Sequence, residues 1–109
     1  MGPAAATFDL VIVFYLHLPS NDRHRVMAHA QDALADGGTL LVVGHDTANL
    51  TEGFGGPQDP TLLFTPDQVA SDLGTLRIMR ADHVRRDVDT DQGRRVAIDA
   101  LVRAVKQRT

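Results

Sequence analysis

The sequence contains no cysteine. Disulfide scaffolds, thiolate zinc sites, iron–sulfur clusters and cysteine nucleophiles are thereby excluded, and the redox compartment stays open. No apolar run approaches the roughly 18 residues that span a bilayer. The opening Met1-Gly2-Pro3-Ala4-Ala5-Ala6 lacks the basic start and long apolar core of a secretory signal. The expectation is a cytoplasmic protein with no membrane partner. Lysine and glutamate occur once each, as Lys106 and Glu52, among 11 bases and 14 acids. With alanine abundant, this skew reads as GC-rich coding bias, so arginine and aspartate carry less functional weight than their numbers suggest. A formal charge of -3 offers no electrostatic footprint for nucleic acid. Arginines do pair at Arg85-Arg86 and Arg94-Arg95, but aspartates flank them, and a solvated hairpin surface is expected. Neither Ser20 nor Ser71 sits in a Gly-x-Ser-x-Gly elbow, and Lys106 is in no phosphate loop. His24 and His29 do not share a helix face, and His83 reads as a surface strand residue, so no metal site is expected.

What is present is a single small domain of 109 residues, too short for two. Its 43% hydrophobic content is that of a globular chain. Residues 1–7 read as a disordered or tag-like lead, and residues 8–109 as the folded unit. Leu10 to Leu16 is a continuous apolar, β-branched run. Strand length without polar alternation predicts a central parallel strand covered on both faces. Residues 21–35 follow as a helix, capped by Ser20 or Asn21. Its inward stripe is Val26, Met27, Ala30, Ala33 and Leu34, with Arg23, Arg25, Gln31 and Asp32 off it, and Gly37-Gly38 stop it. Residues 39–44 form a second buried strand, completing a right-handed βαβ unit.

Residues 47–64 are rich in glycine and proline and long for a connection, which predicts a lid or mobile loop. Gly53-Phe54-Gly55-Gly56-Pro57 joins no strand to a helix and reads as turn rather than cofactor cradle. Thr65, Pro66 and Gln68 spell a capping box at the start of a short helix ending at Gly74. Residues 75–88 read as a strand with a bulge near Arg80-Ala81, and Asp89 to Gly93 as a turn. Residues 94–106 fit a strand and a helix equally well.

The carboxyl ends of parallel strands are where open α/β sheets bind ligands. His17 follows the first strand and His45 the second, with Tyr15, Asp46 and Asn49 nearby. Neighbouring strands lie roughly 5 Å apart, so the two histidines can face one pocket, where imidazole serves as a general base near neutral pH. The plainer reading is a histidine that only hydrogen-bonds at a strand end.

The run Phe8-Asp9-Leu10-Val11-Ile12-Val13 into Tyr15-Leu16-His17-Leu18-Pro19 carries a family resemblance. So does the helix ending Leu34-Ala35-Asp36-Gly37-Gly38-Thr39-Leu40-Leu41-Val42-Val43. The chain resembles the carboxyl-terminal half of class I S-adenosylmethionine-dependent methyltransferases, from residue 8 to about 106. The resemblance implies an α/β fold: a partial Rossmann-like sheet in the family's strand order 4-5-7-6, its last strand antiparallel, with helices on its faces. It favours a strand for residues 94–106. It implies cofactor contacts at Tyr15, Leu16 and His17, acceptor-substrate contacts at His45, Asp46 and Asn49, and a catalytic base at His17 or His45. The family's first three strands, with their glycine-rich loop and ribose-binding acid, have no counterpart between Met1 and Thr7. The implied protein is therefore a truncated or split methyltransferase acting on a small molecule, with S-adenosylmethionine bound weakly or not at all by this chain alone. Leaving the fourth strand without its partner exposes the Leu10–Leu16 edge, which implies a homodimer or a complementing amino-terminal half. Two other readings stay open: a non-catalytic self-associating or partner-binding module, and an unrelated small α/β ligand-binding domain.

Overall fold

The computed structural model describes residues 7–108. The lead expected at residues 1–7 lies outside them except for Thr7, whose N–H donates to the Ala33 carbonyl at 3.0 Å. The elements are β1 (Phe8–Phe14), α1 (Ser20–Ala33), β2 (Leu34–His45), α2 (Asn49–Glu52), a 3₁₀ turn (Pro60–Leu62), α3 (Pro66–Asp72), β3 (Arg77–Thr90) and β4 (Gly93–Val105). They build one four-stranded sheet in the order β1-β2-β4-β3. β1 and β2 run parallel, and β4 is antiparallel to both its neighbours. No helix among the described residues is long and apolar enough to cross a membrane.

The ambiguity at residues 94–106 resolves as strand. β4 hydrogen-bonds on both sides, to β2 and to β3, and a helix there would forfeit both ladders. The β3 register slips between Ile78 and Arg80, next to the expected bulge. The capping box forms as read: Thr65 Oγ1 accepts from Gln68 N–H at 3.1 Å, and Thr65 N–H donates to Gln68 Oε1 at 2.9 Å.

Three local expectations are corrected. The residue before α1 is Pro19, and no side chain caps the helix. The helix also ends at Ala33, before Gly37-Gly38. There the single lysine does what a C-terminal glycine would have done: Lys106 Nζ donates to the Gln31 and Leu34 carbonyls at 3.3 and 2.9 Å. Gly37, at φ +80°, serves instead in a bend of β2, where β1 partners jump from Leu34 to Thr39. Third, Arg23 joins the inward stripe with Met27, Ala30 and Ala33, while Val26 is half-buried. Its apolar stem packs inward, and its Nε donates to Asp72 Oδ2 at 2.7 Å.

The larger correction concerns the sheet faces. Leu40 and Val42 of β2 and Ala100, Val102 and Ala104 of β4 share one face with Met27, Ala30, Val69 and Leu73 of the helices, forming the core. Val11 and Val13 of β1 pack against it. The opposite face carries Leu10, Ile12 and Phe14, paired in register with Thr39, Leu41 and Val43. These three β1 side chains stay 55%, 50% and 52% exposed. The helices therefore cover one face of the sheet, and β1 is an edge strand among the described residues. A single βαβ crossover brings its helix to only one face; nothing in residues 7–108 supplies the other layer.

The 47–64 segment has more structure than a bare loop. It contains α2 and the 3₁₀ turn, and it buries Asn49, Leu63 and Phe64. Phe64 fills the space above Gly44, where any Cβ would collide with its ring.

Candidate functional site

Parallel pairing puts the ends of β1 and β2 side by side. Tyr15 N–H donates to the Val43 carbonyl at 2.7 Å, and the chain then turns sharply. Tyr15 takes φ +51°, the only positive φ of a non-glycine residue among those described. Side chains that adopt this left-handed backbone do so against a steric cost. The turn returns His17 over β2, where its Nε2 accepts the His45 backbone N–H at 3.1 Å. The two imidazoles stack with centroids 5.1 Å apart at 24°, and the Tyr15 ring lies 5.2 Å from His45. Tyr15, His17 and His45 thus meet as expected.

Sequence reading missed the two groups that lock them. His45 pairs in register with Asp99 of β4. Tyr15 Oη donates to Asp99 Oδ2 at 2.7 Å. Arg86 of β3 donates through Nε to the same oxygen at 3.0 Å and through Nη2 to Oδ1 at 3.4 Å. The Arg86 guanidinium also stands 5.6 Å from the Tyr15 ring centroid. Asp99 is 3% exposed, and a carboxylate so buried needs such partners. Its signal was a lone acid inside the apolar run Val96–Val102. Arg86 had no local signal: its neighbours Arg94 and Asp89 form the solvated pair expected of the hairpin, at 3.4 Å and largely exposed.

Electrostatics follow from this packing. Burial lowers the His45 pKa below the ordinary 6.5, reinforced by Arg86 and opposed by Asp99. Burial also lowers His17, with His45 adding and Asp99 opposing. Burial and then the Asp99 hydrogen bond and charge raise Tyr15 above 10.0. Arg86 is raised chiefly by its hydrogen bond to Asp99. Burial thus favours the neutral form of both imidazoles. Since His17 Nε2 accepts a hydrogen bond, the network assigns the proton of the neutral ring to Nδ1. His45 Nδ1 is buried without a hydrogen-bond partner. Asp99 Oδ1 lies 3.8 Å from it, beyond hydrogen-bond reach but within electrostatic reach. The neighbouring loop leans on this ring: Gly56, at φ +73°, comes so near that a Cβ there would sit 2.9 Å from His45.

Leu16 is 44% exposed beside the cluster. Asp46 and Asn49 lie elsewhere. Asp46 is fully buried; its Oδ1 accepts from Ala48 N–H at 3.0 Å, and its Oδ2 meets His83 Nδ1. Asn49 Oδ1 accepts from Ile98 N–H at 2.8 Å, and its Nδ2 donates to the carbonyls of Gly55 and Phe54 at 2.8 and 3.4 Å. The polar groups of both are taken up in fastening the 47–64 segment to β3 and β4.

No protein-family model matches this sequence, and no curated protein matches it. Solved structures do. A structure of SAM-dependent methyltransferases from Methanosarcina mazei superposes with a TM-score of 0.69 at 13% identity, over 100% of this chain and 64% of that one. A structure concerned with the conversion of a disulfide bond into a thioacetal group during echinomycin biosynthesis gives 0.65 at 15% identity, over 94% of this chain and 50% of that one. This chain therefore spans less than two thirds of either. At such identities the likeness establishes the fold alone: a mixed α/β sheet of four strands similar to SAM-dependent methyltransferase structures.

Proposed function

We propose that the chain is the carboxyl-terminal portion of an S-adenosylmethionine-dependent methyltransferase domain whose complete form methylates a small molecule. The observation that carries this reading is the Tyr15–His17–His45 cluster at the carboxyl ends of the parallel pair, in a chain that superposes along its whole length on part of such a structure. On that reading β1, β2, β4 and β3 are the family's strands 4, 5, 7 and 6.

S-adenosylmethionine fits these residues in part. Tyr15 and Leu16, 40% and 44% exposed, with His17, offer one aromatic and apolar wall for its nucleoside. No carboxylate of the cluster remains for the ribose hydroxyls, because both Asp99 oxygens are engaged. Bound cofactor would supply an electrophilic methyl group. The chain's own residues orient and move the acceptor's proton. Asp99, held by Tyr15 and Arg86, faces His45 Nδ1 and leaves Nε2 to take a proton from the acceptor. His17, its Nε2 engaged by the β2 backbone, keeps the two strand ends together, which narrows the base to His45. Asp46 and Asn49 shape the acceptor side through the loop they fasten. The remaining contribution is alignment of the reacting groups.

Titration of S-adenosylmethionine into the labelled chain, followed by amide shifts, tests this. Weak saturable shifts confined to Tyr15–His17, His45 and Asp99 are expected. Each missing charge-assisted hydrogen bond weakens binding by about 1.5–3 kcal/mol, and about 1.4 kcal/mol is already tenfold. Absence of shifts at millimolar cofactor refutes the cofactor wall at Tyr15–His17; tight stoichiometric binding refutes the partial character of the chain.

A second reading, a self-associating or partner-binding module, is favoured by the open edge and bare apolar face of β1. Antiparallel pairing of Leu10–Leu16 with a second copy would satisfy the backbone about a two-fold axis; a complementing amino-terminal half would do the same. Sedimentation at micromolar concentration should give more than 11.8 kDa. A monomer that tolerates Ile12→Pro rejects it.

A further inference from the structure

A cavity of about 500 Å³ lies on the core side of the β3–β4 ribbon, beneath α2. In register, Arg85 pairs with Ile98 and His83 with Ala100, whereas His45 pairs with Asp99. Alternation along the strands therefore places this cavity on the sheet face opposite the Tyr15–His45 cluster. Its walls carry Arg80, which is paired with Asp82, and two further charges of opposite sign, Glu52 from α2 and Arg85 from β3. Among the described residues neither forms an ion pair, with the other or with anything else, although the remaining charges nearby are matched. Arg80 Nε holds Asp82 at 2.5 Å, and His83 Nδ1 holds the fully buried Asp46. Ala48 and Ile98 complete the lining with apolar surface, while Val84, paired with Asp99, turns its side chain to the other face.

Glu52 and Arg85 thus face one volume of ligand size without touching. We propose that this cavity binds a small zwitterion of the α-amino acid class. Its carboxylate lies against Arg85, its ammonium against Glu52, and its side chain on Ala48 and Ile98. A ligand of one charge would satisfy one wall and leave the opposing charge facing its own apolar body; only the zwitterion complements both. This site is separate from the methyl-transfer reading and stands or falls without it.

The test compares three probes on the isotope-labelled 109-residue chain by amide shifts: L-leucine, 4-methylpentanoate, which lacks the ammonium, and isoamylamine, which lacks the carboxylate. L-leucine should shift Glu52 and His83–Arg85 saturably and bind at least about tenfold more tightly than either single-charge probe. Arg85→Gln should reduce L-leucine to the level of isoamylamine, and Glu52→Gln to that of 4-methylpentanoate. Both residues are exposed, so circular dichroism should report native folds. Equal affinity for the three probes overturns the proposal. So does an Arg85→Gln variant that binds L-leucine unchanged, or the absence of saturable shifts at millimolar L-leucine.

Discussion

Asn49→Ala separates a fastening residue from a ligand-binding one. Asn49 is 3% exposed and bridges two segments. Its Oδ1 accepts the Ile98 N–H of β4, and its Nδ2 holds the Gly55 carbonyl, each at 2.8 Å. Ile98 is itself 4% exposed, so truncation leaves a buried amide unpaired, at a cost of about 1–3 kcal/mol. Gly55 is exposed, and water can replace its partner, so that bond adds only about 1 kcal/mol. The expected loss is about 2–4 kcal/mol, a large share of the roughly 5–15 kcal/mol that holds a small domain. At about 4–8 °C per kcal/mol for a domain near this size, Tm should fall by at least roughly 8 °C. Urea unfolding gives the free energy, and native-state hydrogen exchange gives its location. The Ile98 amide should lose protection well before that of Val102, which lies mid-ladder between β2 and β3. A loss below about 0.5 kcal/mol, or an Ile98 amide as protected as before, refutes the fastening role and returns Asn49 to the pool of acceptor ligands.

Arg23→Ala removes the Nε partner of Asp72, whose side chain is 6% exposed and keeps only His24 Nε2 at 2.9 Å as an ionic neighbour. A loss of about 3 kcal/mol is expected in urea unfolding, and an unchanged midpoint would show the pair to be idle. Gly56→Ala both strains a left-handed backbone and crowds the His45 ring. It should cost about 1–2 kcal/mol and shift the His45 ring resonances, whereas intact resonances would mean the loop does not rest there. His17 and His45 bind protons less readily folded than unfolded. Stability is therefore full above the ordinary 6.5 and declines as pH falls from there through the lower folded values. The groups facing them are Tyr15, Arg86 and Asp99. Comparing urea midpoints at pH 7.5 and 5.5, the double variant His17→Gln/His45→Gln should lose less on acidification than the parent; equal losses would contradict the lowered values.

Local pattern was a reliable guide wherever the cause was local. The Thr65–Gln68 box formed because its hydrogen bonds close within three residues, and β1, α1 and β2 formed in the expected order, with β2 beginning at Leu34, five residues before the expected start. It was weaker where distant atoms intervened: α1 ends at Ala33, before the glycines that spacing nominates, and the carbonyls of Gln31 and Leu34 there accept from Lys106, far along the chain. The histidine pair was legible because parallel strands bring their carboxyl ends together by construction. Asp99 and Arg86 were not, because their importance arises from register across β2, β4 and β3.

The amino-acid sequence by itself thus determined the α/β class, the βαβ unit and the meeting of His17 with His45, since period and strand polarity are properties of neighbouring residues. Only the tertiary structure decided that, among the described residues, no helix covers the side chains of Leu10, Ile12 and Phe14, that Asn49 and Asp46 fasten the loop, and that a buried Asp99 organises the cluster. Burial and pairing of a side chain depend on which distant elements arrive beside it, and an apolar strand reads the same whether or not a second layer comes to cover it.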